Sequence, residues 1–272
     1  TCPINLLDAD LGAPNLHTFL GIRNPTPNLG DFLVPNGPSL EEIGLPTMFP
    51  NLRLFAGPTR DVFLENIKHF QKLKLINHIR SLEGITIVDI GAGTSFNDID
   101  YFLMADIGTL VVNPEPTSVE SCYHFLRSTA LRRLEKVVRM LDLERIFTQV
   151  VEMRHYRYPL PELIFQISKV DRACAEFLER ALRELNLTLI MNQTEDDRDA
   201  DRLGRSMREV VQRYLGLKIR YAGGIPRDLA VRACLTRFTP YVREHPRSAT
   251  TRALRRIGRE ILESSAATEG AK

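Results

Sequence analysis

The chain has 272 residues, 43% of them hydrophobic and 26% charged, with 36 Lys plus Arg against 34 Asp plus Glu. That size fits one large α/β domain or two small ones, and a net charge of +2 is too even to argue by itself for a nucleic-acid partner. No apolar run approaches the roughly 18 residues of a membrane span, no basic-then-apolar leader is visible, and Cys2, Cys122, Cys174 and Cys234 are too scattered for a zinc cluster or disulfide framework, so a reducing, cytoplasmic setting is expected.

Short apolar runs alternate with longer helical patterns along the chain. Ile4–Leu7 reads as a strand, Asn15–Leu20 as a short helix, and the Pro-, Gly- and Asn-rich stretch 23–50 as loop with a brief helix at Ser39–Ile43. Leu52–Ala56 is a strand, Leu64–Leu82 a helix, and the β-branched run Ile85–Ile90 a buried strand closed by a glycine turn. Phe96–Met104 is a helix and Thr109–Val112 a strand ended by Asn113-Pro114. Residues 117–185 are helical with a break near Tyr156–Pro161. Leu187–Met191 and Lys218–Ala222 are strands flanking a helix at Asp199–Tyr214, with a turn at Gly223–Pro226 after the second. Ser248–Leu262 is a last helix, followed by a polar tail expected to be disordered from about residue 265. The alternation predicts an α/β fold: a doubly wound, mostly parallel sheet flanked by helices, in one domain over 1–264 with a helical insertion at about 125–185.

Ligands of such sheets sit outside the carboxyl ends of the strands. This sequence puts Asp8 and Asp10, Asp89, Asn113 and Asn192 at those ends. Each alone reads as a turn residue or helix cap; together they point to a polar ligand site. Carboxylates beside a Gly-rich turn, here Gly91-Ala92-Gly93, suit a magnesium–phosphate ligand, because Mg²⁺ takes oxygen ligands and glycines let backbone N–H groups approach phosphate. The six histidines have no metal-ligand spacing.

The blocks "INLLDADLGAPNLHTFLGI", "ITIVDIGAGTS", "LVVNPEPTSVESCY", "LIMNQ" and "GGIPRDLAVRACLTRFTPYV", in that order, resemble the MinD/ParA family of P-loop ATPases, and among them the FlhG-like, flagellar-number branch. The resemblance covers most of the chain outside 125–185. It implies a P-loop NTPase fold of the SIMIBI type, with ATP and Mg²⁺ as cofactors. By the resemblance Asp10 orients the hydrolytic water, Asp8 stands beside the magnesium site, and Asn15 starts a switch-like helix. Asp89 holds Mg²⁺ through water, and Gly91, Ala92 and Gly93 form the second switch turn. Asn192 reads the adenine edge, which Pro226, Arg227 and Asp228 border. Asp228 has a plainer reading as a helix cap. The resemblance also implies a nucleotide-bound homodimer, a protein partner, and a role in positioning flagella or division machinery.

The family's phosphate loop, G-K-G-G-x-G-K-[ST], is missing from these blocks, and no G-K-[ST] occurs among the 272 residues. The chain opens at Thr1 and reaches a strand within four residues, so an N-terminally truncated ATPase, weak or inactive by itself, is expected, with an open edge beside the Asp89 strand. The alternatives are a non-catalytic scaffold that holds a protein partner and a ParA-like DNA-partitioning ATPase. Arg127, Arg132, Arg133, Lys136, Arg139 and Arg145 could form a basic stripe for DNA or anionic lipid, and "RHYRYPLPEL" at 154–163 an exposed contact loop. The last helix carries Arg252, Arg255, Arg256 and Arg259 without Phe or Trp, and reads as packed rather than as a membrane-surface helix.

Overall fold

The computed structural model describes residues 2–58, 69–140 and 159–269. They form two compact units, Thr1–Met104 with Leu229–Pro246, and Ala105–Asp228 with Arg247–Lys272.

The first unit is built on β1 (Ile4–Asp8), with β2 (Leu45–Pro46), β3 (Leu52–Phe55) and β4 (Ile85–Asp89) in the order β2-β3-β1-β4. β1 runs parallel to both β3 and β4, and only β2 is antiparallel. The helices are α1 (Leu16–Phe19), α2 (Leu29–Leu33), α3 (His69–Ser81), α4 (Phe96–Met104), α9 (Ala230–Arg237) and α10 (Tyr241–Glu244), with a 3₁₀ turn at Glu41–Ile43. Leu7, Phe32, Leu33, Leu40, Ile43, Phe55, Leu75, Ile79 and Tyr101 make its core. β4 has β1 on one side and no strand on the other among the described residues. Ile87 on that edge strand is 53% exposed.

The second unit holds β5 (Gly108–Val112), β6 (Leu187–Thr194) and β7 (Ile219–Pro226), all parallel, with β6 in the middle. Leu187–Met191 are all buried, as a central strand covered on both faces requires. Around it lie α5 (Pro116–Met140), α6 (Leu160–Val170), α7 (Arg172–Arg183), α8 (Asp197–Leu215) and α11 (Ala249–Glu269). Side-chain caps define two of these starts: Asp171 accepts from the Cys174 amide, and Asp196 from the Asp199 amide. Gly216, at φ 68°, ends α8 in the left-handed conformation that glycine tolerates.

Several sequence expectations need correction. Gly223–Pro226 is not a turn but the second half of β7. Gly223, at φ 122°, supplies a bulge: Leu189 pairs with Tyr221 and Ile190 with Gly223, so Ala222 is skipped. Gly224 is needed for another reason, since a Cβ there would stand 2.6 Å from the Ala200 Cβ of α8. The basic stripe on α5 is largely neutralised: Glu135 pairs with both Arg132 and Arg139, and Glu184 with Arg133. Arg145 lies outside the described residues, as do Arg154–Tyr158 of the expected contact loop. The rest of that loop enters α6, where Leu160 is 1% exposed. The described part of the helix read at Leu64–Leu82 begins at His69. α11 continues to Glu269, past the Leu262 where the sequence reading ends it. Its Ile257 and Ile261 pack on Ile190, Ala222 and Ile225, while Leu254 and Leu262 stay exposed.

Candidate functional site

Asp8 and Asp89 are register partners at the carboxyl ends of adjacent parallel strands, so their side chains leave the sheet side by side. The Ala9 amide donates to the Asp89 carbonyl at 2.7 Å, which holds the two strand ends together one residue beyond the pairing. Asp8 is 1% exposed. Its Oδ2 accepts from the amides of Asn15 at 2.9 Å and Leu16 at 3.0 Å. The carboxylate thus caps α1 from a distance, at a position where Asn15 itself makes no side-chain cap bond. Its other oxygen, Oδ1, is buried with no hydrogen-bond partner among the described residues. Gly57 lets this loop sit close: a Cβ there would fall 2.4 Å from the Pro14 Cβ and 3.1 Å from the Asp8 carbonyl.

Asp10 follows in the loop and accepts from the Ala13 amide through Oδ1 at 3.1 Å. It lines a cavity of about 270 Å³ with Gly91, Ala92, Gly93, Ser95 and Asp98. A Cβ on Gly91 would lie 3.5 Å from the Asp10 carboxylate, and one on Gly93 would lie 3.1 Å from that of Asp98, so the turn's glycines leave room between two acids. Sequence reasoning does not single out Asp98. Its signal was the Ser95-x-x-Asp98 spacing: the Asp98 amide donates to Ser95 Oγ at 3.2 Å, and Ser95 Oγ donates to Asp98 Oδ2 at 2.7 Å, closing the start of α4. Tyr101, one turn further on, also lines the cavity; burial, helped by Asp98 and Asp100, pushes its phenol well above the usual range.

Burial, with the Asp10 charge adding to it, raises the pKa of Asp8, partly opposed by the Leu16, Asn15 and Asp10 amides. Burial also raises that of Asp89, and the charges of Asp8 and Asp10 push it the same way. This donor set fits a divalent cation: an orphaned buried carboxylate oxygen and crowded acids, with no Lys or Arg paired to Asp8, Asp10 or Asp89 among the described residues. No three His, Cys, Asp or Glu side chains among the described residues form a ready coordination shell. The fit is therefore to a hydrated ion such as Mg²⁺, which keeps several waters and needs one or two carboxylates.

The raised pKa values carry a sign. Below the ordinary carboxylate value of 3.8 both states are protonated and these groups contribute nothing. As pH climbs through the raised folded-state values, ionisation costs the folded state more than the unfolded one, and stability falls. A cation offsets that cost only where the acids are ionised. The expected result is a Mg²⁺-induced rise in melting temperature that is largest where both acids are ionised, shrinks as pH falls through their raised values toward the ordinary 3.8, and is lost in Asp89→Asn. A rise independent of pH, in thermal melts of both proteins, would contradict it.

In the second unit Asn192 lies within β6, which runs three residues past the expected end at Met191, and its Nδ2 donates to Oδ1 of Asn113, just past β5, at 3.2 Å. Pro226 closes β7, opposite Thr194, and its carbonyl accepts from Thr250 Oγ1 at 3.1 Å. Asp228 is half-buried; Leu229, not Asp228, occupies the cap position of α9, which has no side-chain cap bond. The four cysteines are free, and Cys122 is a buried core residue of α5 whose thiol burial pushes up to about 12.

These features define a doubly wound α/β fold with acids at the carboxyl ends of parallel strands, the fold of P-loop nucleotide hydrolases. Solved structures similar to this chain include MinD and ParA-family ATPases. The cell division ATPase MinD of Pyrococcus furiosus is 19% identical over 96% of this chain and 86% of its own, with a TM-score of 0.59. MinD of Pyrococcus horikoshii, complexed with Mg-ADP, is 19% identical over 96% and 83%, with a TM-score of 0.56. A ParA family ATPase from Chlorobium tepidum is 15% identical over 94% and 84%, with a TM-score of 0.58. No protein-family profile matches the chain, and no curated protein matches its sequence. Among the described residues no helix is long and apolar enough to cross a membrane.

Proposed function

We propose that this chain is a MinD/ParA-type ATPase, a switch that binds Mg-ATP, pairs with a second copy and presents a surface to a protein partner until hydrolysis releases it. The observation that carries the reading is the pairing of Asp8 with Asp89 beside the Asp10 and Gly91–Gly93 cavity. Asp89 would hold hydrated Mg²⁺, with the free oxygen of Asp8 beside it, and Mg²⁺ would neutralise charge on the phosphates. Asp10 would accept a hydrogen bond from the attacking water and orient it. Asn192, with Pro226 and Asp228, is the proposed adenine-facing set. The placement in the FlhG-like branch, and with it flagellar or division-site positioning in the cytoplasm, rests on the sequence blocks.

Phosphate needs a cradle of N–H groups, a lysine and a hydroxyl, and no G-K-[ST] in the sequence supplies it. The open edge of β4 also leaves the Asp89 side of the sheet without a neighbouring strand among the described residues. Both observations support weak binding by the 272-residue chain alone. Equilibrium dialysis with labelled ATP is expected to give a Kd above about 0.1 mM, or under about 5.5 kcal/mol. Binding should need Mg²⁺ and vanish in Asp89→Asn. Tight binding would overturn the weak-binding part. Binding indifferent to Mg²⁺ and to Asp89→Asn, or none at any ATP concentration, would overturn the ATPase reading.

A further inference from the structure

The second unit has a larger cavity, of about 920 Å³, at the opposite end of its sheet from Asn113 and Asn192. It opens at the amino ends of β6 and β7, around Asn186, Leu187 and Ile219. Its charged lining is Arg133 from α5, Arg183 from α7, Arg208 from α8, Lys218 and Arg220 at β7, and one acid, Glu184. Glu184 is engaged by Arg133 at 3.0 Å, and Arg183 is engaged by Glu179 on the helix surface. Arg208 and Lys218 form no ion pair among the described residues.

Arg220 is held in place. Nη1 donates to the Glu260 carbonyl at 3.1 Å and Nη2 to Thr188 Oγ1 at 2.9 Å. Its Nε is buried and has no partner among the described residues. A guanidinium fixed by neutral acceptors keeps its full charge, and an unmet buried donor is costly to leave unmade. Two free cations and one immobilised guanidinium around a recess of this size suit a compact anion with several charged oxygens. A polynucleotide would instead track a continuous basic surface, and the neighbouring cations of α5 are already paired with Glu135.

We propose that this recess is a second ligand site, for a small phosphate-bearing anion, independent of the carboxylate site and of any magnesium there. The test is calorimetric titration of the full chain with pyrophosphate, at fixed ionic strength with a chelator present. Wild type is expected to bind saturably. Arg208→Ala with Lys218→Ala should weaken binding at least about tenfold, since each removes a charge-assisted contact. Arg208→Gln alone, on an exposed helix face, gives the same direction if the double variant fails to fold. Asp89→Asn should bind pyrophosphate as wild type does. Unchanged binding in the double variant would overturn the proposal. So would loss in Asp89→Asn, equal competition by chloride, or retention of duplex DNA that pyrophosphate does not displace.

Discussion

Lys72→Ala is expected to destabilise the first unit by about 3–5 kcal/mol. Lys72 of α3 and Asp100 of α4 meet at 2.5 Å with side chains 6% and 7% exposed. Removing the ammonium leaves the desolvation of the carboxylate in place and takes away the charge that faces it. Lys72→Met with Asp100→Leu should recover most of the loss, because an apolar pair of similar volume has no charge to desolvate. Urea unfolding of the three proteins measures both. A double variant no more stable than Lys72→Ala would mean that the pair does not act as a pair. The pair also matters for the site, since α4 begins beside the Gly91–Ser95 turn that lines the cavity.

Phe32→Ala is expected to cost about 3–5 kcal/mol by the lost transfer energy and the cavity left behind. Phe32 is fully buried, and its ring meets the edge of His78 at 5.2 Å and the Lys74 ammonium at 4.1 Å. It comes from α2, which also sends its Phe32 carbonyl to Lys74 Nζ at 2.9 Å. The loss should appear in the urea midpoint with an unchanged slope if the unit still unfolds in one step. A loss under about 1 kcal/mol would mean that the core closes around the gap.

α2 shows why part of the fold was hidden in the sequence. The stretch 23–50 is rich in Pro, Gly and Asn, and reads as loop. Yet Asn28-Leu29-Gly30-Asp31 is a full capping box: Gly30 donates to Asn28 Oδ1 at 2.8 Å and the Asn28 amide donates to Asp31 Oδ2 at 2.8 Å. Five residues are too few for helical periodicity to register, and the cap signal looks like a turn. The same ambiguity misplaced Gly223–Pro226. Two glycines and a proline signal a turn, but here one glycine serves a bulge and the other a close helix contact. The long strands and helices were legible because their apolar runs are buried as the pattern demands, as in Leu187–Met191 and in Leu134 and Val138 of α5. The basic stripe failed because counting Arg and Lys on α5 ignored Glu135 and Glu184.

The candidate site was legible where chemistry sits at strand ends. Asp8 and Asp89 could be placed together from two strand patterns and the rule that parallel strands end at one edge. The role of the Asp8 carboxylate in holding the Asn15 and Leu16 amides was not legible, because it depends on how the loop 9–15 folds back. Asp98 was not legible, because its place on the cavity depends on how the Gly91–Ser95 turn leads into α4, where Ser95 Oγ donates to its carboxylate.

The proposed function depends on a hydrated divalent cation held at the paired strand ends of Asp8 and Asp89. Electron paramagnetic resonance of Mn²⁺, titrated into the wild-type chain, Asp8→Asn and Asp89→Asn, tests it directly. A saturable bound fraction that Mg²⁺ displaces, weaker by about tenfold or more in each variant, is the predicted result. The same bound fraction in all three proteins would place the ion elsewhere and contradict the account.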